Sequence, residues 1–198
     1  MKRITVLISG SGSNLQALID ASQSPRLPGQ ITFVLSSRSN AYGLTRASNA
    51  GIPTSICALK TYLTKNPGST RVEYDAEVAK RVMESRPDLV VLAGWMHILS
   101  PAFLDAIHVP IINLHPALPG AFDGANAIGR AYEAFGKGEV KGTGAMVHRV
   151  VKEVDRGEPL VVREVEIKKG ETLEELETRI HEVEHEIIVE GARIALDA

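Results

Sequence analysis

Through its first half the chain alternates between short apolar runs and longer stretches whose apolar residues recur every three or four positions. The runs "ITVLISG" from Ile4, "ITFVLSS" from Ile31, "IPTSIC" from Ile52, "PDLVVLAGWM" from Pro87 and "VPIINLH" from Val109 read as buried strands. Between them, "SGSNLQALIDASQ", "NAYGLTRASNAG" and "RVEYDAEVAKRVMESR" carry helical spacing, the second closed by a glycine C-cap at Gly51. "LKTYLTKNPGST", polar and punctuated by Pro67 and Gly68, reads as a loop. Near-continuous apolar strands alternating with helices predict a mostly parallel sheet with helices on both faces, an α/β fold.

The last third changes character. "KGTGAMVHRVV" and "PLVVREVEI" are extended segments joined by the turn "KEVDRGE", which predicts an antiparallel pair and hence a mixed C-terminal extension of the sheet. "TLEELETRIHEVEHEIIVEGARIAL" is a charged amphipathic helix, opened by Thr172 as N-cap with Glu175 three residues later, a capping box. No internal repeat or linker divides the chain, so 1–198 is expected to be a single domain. Its 198 residues suffice for one sizeable core. A net charge of −2 offers no general attraction to nucleic acid or anionic membranes. The single cysteine, Cys57, excludes an internal disulfide framework and a multi-cysteine metal cluster. The apolar part of the N-terminus is too short for a signal peptide and reads as a first strand, so a cytoplasmic location is expected.

Chemistry enters at the strand ends. "SGSGSN", Ser9 to Asn14, lies between the first strand and the first helix. It has the Gly10-x-Gly12 start of a dinucleotide fingerprint, but Leu15 stands where the third glycine belongs, and no Lys-Ser/Thr follows to make a P-loop. It is either a tight turn with an N-cap or a phosphate seat for a mononucleotide-like ligand, with Gly12, Ser13 and Asn14 closest to the anion. "IINLHPALPG" carries Asn113 and His115 to one face at the end of another strand and then breaks. That is either a polar strand end or a reaction centre, in which Asn donates to an oxyanion and His donates or shuttles a proton. Asp155, in the turn between the two late strands, is the candidate carboxylate to hold the imidazole and favour its charged form. Of the other histidines, His108 suits a loop and His148 a satisfied strand position. His181 and His185 are four apart on one helical face, but "HEVEH" lacks the His-Glu-x-x-His order and a third ligand, so no metal is expected. Without a Gly-x-Ser-x-Gly elbow or a base beside Cys57, covalent catalysis is disfavoured.

"ITVLISGSGSNLQALID", "PDLVVLAGWMHILSPAFL", "IINLHPALPG" and "VVKEVDRGEPLVV" occur in the order seen in the folate-dependent phosphoribosylglycinamide formyltransferases, which the chain resembles over nearly its whole length. "ALPGAFDGANAI" is similar to the fungal-like monofunctional branch. The resemblance implies a Rossmann-like formyltransferase fold. Its first half, 1–110, would mainly bind the ribonucleotide, and 111–198 would supply the catalytic centre, the folate loop and the C-terminal helix. It implies formyl transfer from 10-formyltetrahydrofolate, a co-substrate, to glycinamide ribonucleotide, by a monomer or homodimer acting on small molecules without nucleic acid or membrane. By the same resemblance His115 is the proton donor, Asn113 stabilises the oxyanion and Asp155 raises the histidine pKa. Gly12, Ser13, Asn14, His181 and Glu184 would hold the ribonucleotide. Arg71, Met96, His97, Ile98, Leu99, Asn113, Val151, Lys152, Glu153, Val154 and Asp155 would meet the folate. Asn126 stands where many bacterial relatives carry a second histidine. The rival readings are a tRNA-formyltransferase or deformylase type of 10-formyltetrahydrofolate enzyme, and a non-catalytic nucleotide-binding module.

Overall fold

A computed structural model describes residues 1–198. Seven strands form one sheet: β1 (Lys2–Ile8), β2 (Gly29–Ser36), β3 (Thr54–Ile56), β4 (Leu89–Leu92), β5 (Ile111–His115), β6 (Gly142–Arg149) and β7 (Pro159–Glu166). Their order is β3-β2-β1-β4-β5-β6-β7. The first five pair in parallel, and β6 and β7 add antiparallel. The seven helices are α1 (Ser13–Ser22), α2 (Gly43–Asn49), α3 (Leu59–Lys65), α4 (Arg71–Glu84), α5 (Pro101–Ala106), α6 (Ala127–Gly136) and α7 (Leu173–Asp197). This is the α/β architecture with a mixed C-terminal extension that the hydrophobic pattern predicts.

Strand alternation divides the core. Ile4, Val6 and Ile8 of β1 pack with Leu15 and Leu18 of α1 and Ile187 and Ile188 of α7. Leu7, with Val90 and Leu92 of β4, faces the other way, onto Tyr74 and Val78 of α4 and Phe103 of α5. Successive strand side chains point to opposite faces, so a strand buried on both sides is apolar nearly throughout, and the buried Thr5 is satisfied by Ser85 Oγ at 2.6 Å. A third cluster joins Ile128 and Ala131 of α6 to Val165 of β7 and Leu176 and Ile180 of α7.

Three helices depart from the sequence reading. Residues 59–65, expected as loop, form α3, because Leu59 and Tyr62 dock on the α4 side of the sheet and Tyr62 meets the Tyr74 ring edge-on at 5.7 Å. Packing of a few apolar groups outweighs the weak intrinsic preference of so short a segment. α5 begins with Pro101 at its first position behind an extended Ser100 and buries Phe103. α6 follows the Pro-Gly loop, with Ala127, Ile128, Ala131 and Ala134 buried. β4 ends at Leu92, earlier than its apolar run, and "AGWM" leaves the sheet to wall a cleft.

Candidate active site

The strand order reverses at β1 and β4: the chain builds outward through β2 and β3, then returns to β4 and β5 on the other side of β1. Diverging connections open a crevice at the carboxyl ends of such strands, where ligands of open α/β sheets bind. The glycine loop and the segment after β4 meet there. Ser9 Oγ accepts from Met96 N at 3.0 Å and lies 2.6 Å from Ser37 Oγ, joining three strand ends through one buried hydroxyl.

On the β1 side, Gly12 caps α1 in the left-handed region at φ 72°. A Cβ there would lie 2.5 Å from the Gly43 Cα, so glycine is required both for the turn and for the approach of α2. Ser13 and Asn14 open the helix, whose first N–H groups and dipole face the crevice end. The Asn14 side chain faces the Glu184 carboxyl of α7, and its Oδ1 is buried without a partner. Burial pushes Glu184 up to about 7, partly offset by the nearby Asn14 amide. Glu184 therefore belongs to an interior polar cluster, not to a solvated helix face. His181 is exposed, its Nε2 3.9 Å from Glu184 Oε2. His185 is held below the usual imidazole range by burial and by the nearby His181 and Arg46.

On the β5 side the three expected residues converge. His115 Nδ1 lies 3.5 Å from Asp155 Oδ2, and Asn113 Nδ2 donates to Asp155 Oδ1 at 3.4 Å. Asp155 is itself left-handed at φ 55°, a conformation that Asp and Asn tolerate best among side-chain-bearing residues. Gly124 N donates to its Oδ2 at 2.8 Å. Burial pushes the Asp155 carboxyl up, but His148, the Gly124 amide and His115 together outweigh it and hold the group below the usual range. For His115 burial is the largest influence and pulls it below the ordinary imidazole value. Asp155 and the Phe122 carbonyl raise it, and His148 lowers it further. The carboxylate thus acts in the direction the sequence suggests, while desolvation decides the net sign.

A fourth member was not anticipated. The antiparallel register sets His148 of β6 directly opposite Asn113, so both side chains share a face. Its Nε2 lies 3.2 Å from Asn113 Nδ2 and 3.4 Å from Asp155 Oδ1, and its Nδ1 is 2.9 Å from Arg149 O. With Nδ1–H donating to that carbonyl, Nε2 accepts from Asn113 when the ring is neutral and donates to Asp155 when the ring is protonated. A polar residue inside an apolar strand, seven before Asp155, was the available sign. Only the pairing partner distinguishes it from an ordinary satisfied histidine.

These groups lie in a cleft of about 430 Å³. One wall is Met96, His97, Ile98 and Leu99, with Met96 and Ile98 largely exposed. The other is Val151, Lys152, Glu153 and Val154. His97 stands edge-on to Tyr74 at 5.7 Å and to Trp95 at 5.6 Å. Arg71 is not on the wall itself. It braces the wall from behind, donating to Ile98 O at 2.8 Å while pairing with the buried Asp75, whose other oxygen takes Ser100 N. Asn126, left-handed at φ 53°, borders the cleft beside Gly124. No cluster of three or more His, Cys, Asp or Glu side chains is arranged to hold a metal ion.

Residues 2–191 match the formyl transferase family. The chain belongs to that family. It is 53% identical over 194 residues to the phosphoribosylglycinamide formyltransferase of Schizosaccharomyces pombe, covering 95% of this chain and 94% of that protein. Against the Saccharomyces cerevisiae enzyme of the same name identity is 48%, covering 96% and 95%. The crystal structure of glycinamide ribonucleotide transformylase 1 from Symbiobacterium toebii superposes with a TM-score of 0.90 at 38% identity, covering 100% of this chain and 88% of that one. The match spans nearly the whole of both fungal proteins, in keeping with the fungal-like wording of the loop after β5.

In this formyl transferase the turn that presents Asp155 depends on Gly157, where an added Cβ would collide with the carbonyl of Arg149. Gly157→Ala must therefore displace the turn. Misplacement on the scale of 1 Å can cost about 10²-fold in rate. The variant should lose kcat on that scale, while ligands seated on α1 keep their affinity, as steady-state kinetics beside calorimetry would reveal. Unchanged kcat would mean that the turn's exact position is immaterial.

Proposed function

We propose that this protein transfers the formyl group of 10-formyltetrahydrofolate to the glycyl amine of N1-(5-phospho-D-ribosyl)glycinamide, a step of de novo purine synthesis. The observation that carries the reading is the convergence of Asn113, His115 and Asp155 within 3.5 Å contacts, in a cleft beside the helix terminus formed by Gly12, Ser13 and Asn14. The names of the fungal relatives support formyl transfer to phosphoribosylglycinamide.

In this reading the phosphate sits on Gly12, Ser13 and Asn14, and His181 and Glu184 meet the sugar portion. The folate lies between Met96–Leu99 and Val151–Asp155, with Arg71 behind the first wall. The amine nitrogen attacks the formyl carbon. As the new C–N bond forms, the carbonyl oxygen becomes an oxyanion and accepts from Asn113 Nδ2, whose hydrogens otherwise point at His148 Nε2 and Asp155 Oδ1. Once one of those hydrogens turns to the oxyanion, such a donor contributes up to roughly 3–4 kcal/mol at the transition state. Collapse breaks the bond to N10, which takes a proton from His115, and the attacking amine gives one up, so protons balance without a covalent enzyme intermediate. Holding the two reactants together is worth roughly 7–11 kcal/mol more. The reactants are small metabolites, and we place the reaction in the cytoplasm.

The test is direct. Protein, glycinamide ribonucleotide and a 10-formyl folate are mixed, and deformylated folate is followed by absorbance, with formylated ribonucleotide quantified by mass spectrometry. Equimolar appearance of both is expected. Folate release without the formylated ribonucleotide would point to a hydrolase and overturn the acceptor assignment.

A further inference from the structure

We infer that Arg130 is a positioning residue for His115, acting through the carbonyl of Phe122; this rests on the catalytic role proposed for His115. Arg130 lies on α6 and does not line the cleft. Its guanidinium gathers three carbonyls of the loop between β5 and α6: Nη2 donates to Phe122 O at 2.8 Å and Asp123 O at 2.7 Å, and Nε to Ala125 O at 3.1 Å. The same Phe122 O lies 3.1 Å from His115 Nε2.

That loop is otherwise poorly supported. Phe122 and Asn126 have φ of 51° and 53°, which side-chain-bearing residues rarely adopt, and Gly124 stands at 82° between them. Such backbone persists only where surrounding contacts over-determine it. Asp123 is tied to Arg156 by a 2.6 Å pair, but Arg156 is more than half exposed and the pair holds the loop weakly. Gly124 N is anchored on Asp155. What remains to hold the Phe122 carbonyl is Arg130, whose guanidinium also lies 5.8 Å from the Phe122 ring centroid.

The consequence falls on the imidazole. Its two nitrogens face Asp155 at one end and Phe122 O at the other. Asp155 is fixed by His148, Asn113 and Gly124, whereas the acceptor at the Nε2 end is fixed by the guanidinium. With that carbonyl in place, Nε2 keeps its hydrogen and the ring plane is set before substrate arrives. A planar fork can serve three carbonyls at once; a lysine ammonium offers no such plane.

The experiment compares wild type with Arg130→Met, Arg130→Lys and Arg130→Ala. For Arg130→Met we expect kcat to fall about 10- to 100-fold, in line with small misplacement of a catalytic group. KM for both substrates should stay within about threefold. Arg130→Lys should not restore the rate, and guanidinium ion at low millimolar concentration should partly rescue Arg130→Ala without accelerating wild type. Nitrogen-15 NMR of the unliganded protein should report His115 Nε2 protonated in wild type and mixed tautomers in Arg130→Met. If Arg130→Met does not fold, Arg130→Lys, which retains the charge and loses the fork, carries the same kinetic and NMR expectations. A folded variant with kcat within about twofold of wild type and an unaltered His115 tautomer would overturn the inference. So would a kcat loss restored equally by lysine. A tautomer change in Arg130→Met, in a protein whose wild type transfers no formyl group, would sink the proposed reaction and leave the positioning role standing.

Discussion

His115→Asn is expected to lower kcat by about 10²–10⁴-fold, the span of a lost general acid, with the ribonucleotide dissociation constant unchanged within about twofold. The ring is buried at the cleft floor and can carry and release a proton, which an amide of similar size cannot do. In the proposed reading the ribonucleotide is held elsewhere, on α1 and α7, so its affinity has no reason to follow. Single-turnover kinetics with calorimetry separates the two quantities. Retention of wild-type kcat would move the proton to another group, first of all His148, the other imidazole touching Asp155.

Asp155→Asn is expected to reduce kcat at neutral pH by about 10²-fold, at the lower end of a general acid's contribution, and to shift the alkaline limb of the kcat profile to lower pH. The sign follows from the balance at His115. Burial lowers its pKa first, and Asp155 is the leading influence in the other direction. Remove the charge and the pKa falls further. A proton donor must be protonated to act, so rate is lost as pH rises through that pKa, and a lower pKa brings the loss sooner. Part of the activity should return on acidification, until protonation of the attacking amine removes the nucleophile. Asparagine can adopt the left-handed backbone of this position and can still accept from Gly124 N, so the turn should survive the change. A limb that stays in place or moves upward would show that the carboxylate does not control the histidine.

Much of the fold is legible in sequence because β1, β4 and β5 are buried on both faces. Ile4, Val6 and Ile8 satisfy one core and Leu7 the other, so apolar side chains fall on both faces and the buried Thr5 is the one polar break in that run. α3, α5 and α6 were not legible. Each has six to ten residues and is fixed by where it docks, as Phe103 seats α5 on the α4 side of the sheet and Ala131 seats α6 against α7. The site divides in the same way. Asn113 and His115 announce themselves by alternation at a strand end. His148 does not, because its meaning depends on lying opposite Asn113 in an antiparallel pair. Arg130 reads as an ordinary helix arginine until the loop carbonyls are seen to turn toward it.

By itself the sequence determined the strand and helix alternation, the glycine-rich start of α1, the shared face of Asn113 and His115, and the capped C-terminal helix, all consequences of local periodicity and backbone chemistry. Only the tertiary structure decided that Asp155 reaches His115 across forty residues of chain, that burial and not the carboxylate sets the net direction of the imidazole, and that His148 and Arg130 belong to the same assembly. Those outcomes rest on desolvation and on contacts between distant segments, which exist only once the chain has packed.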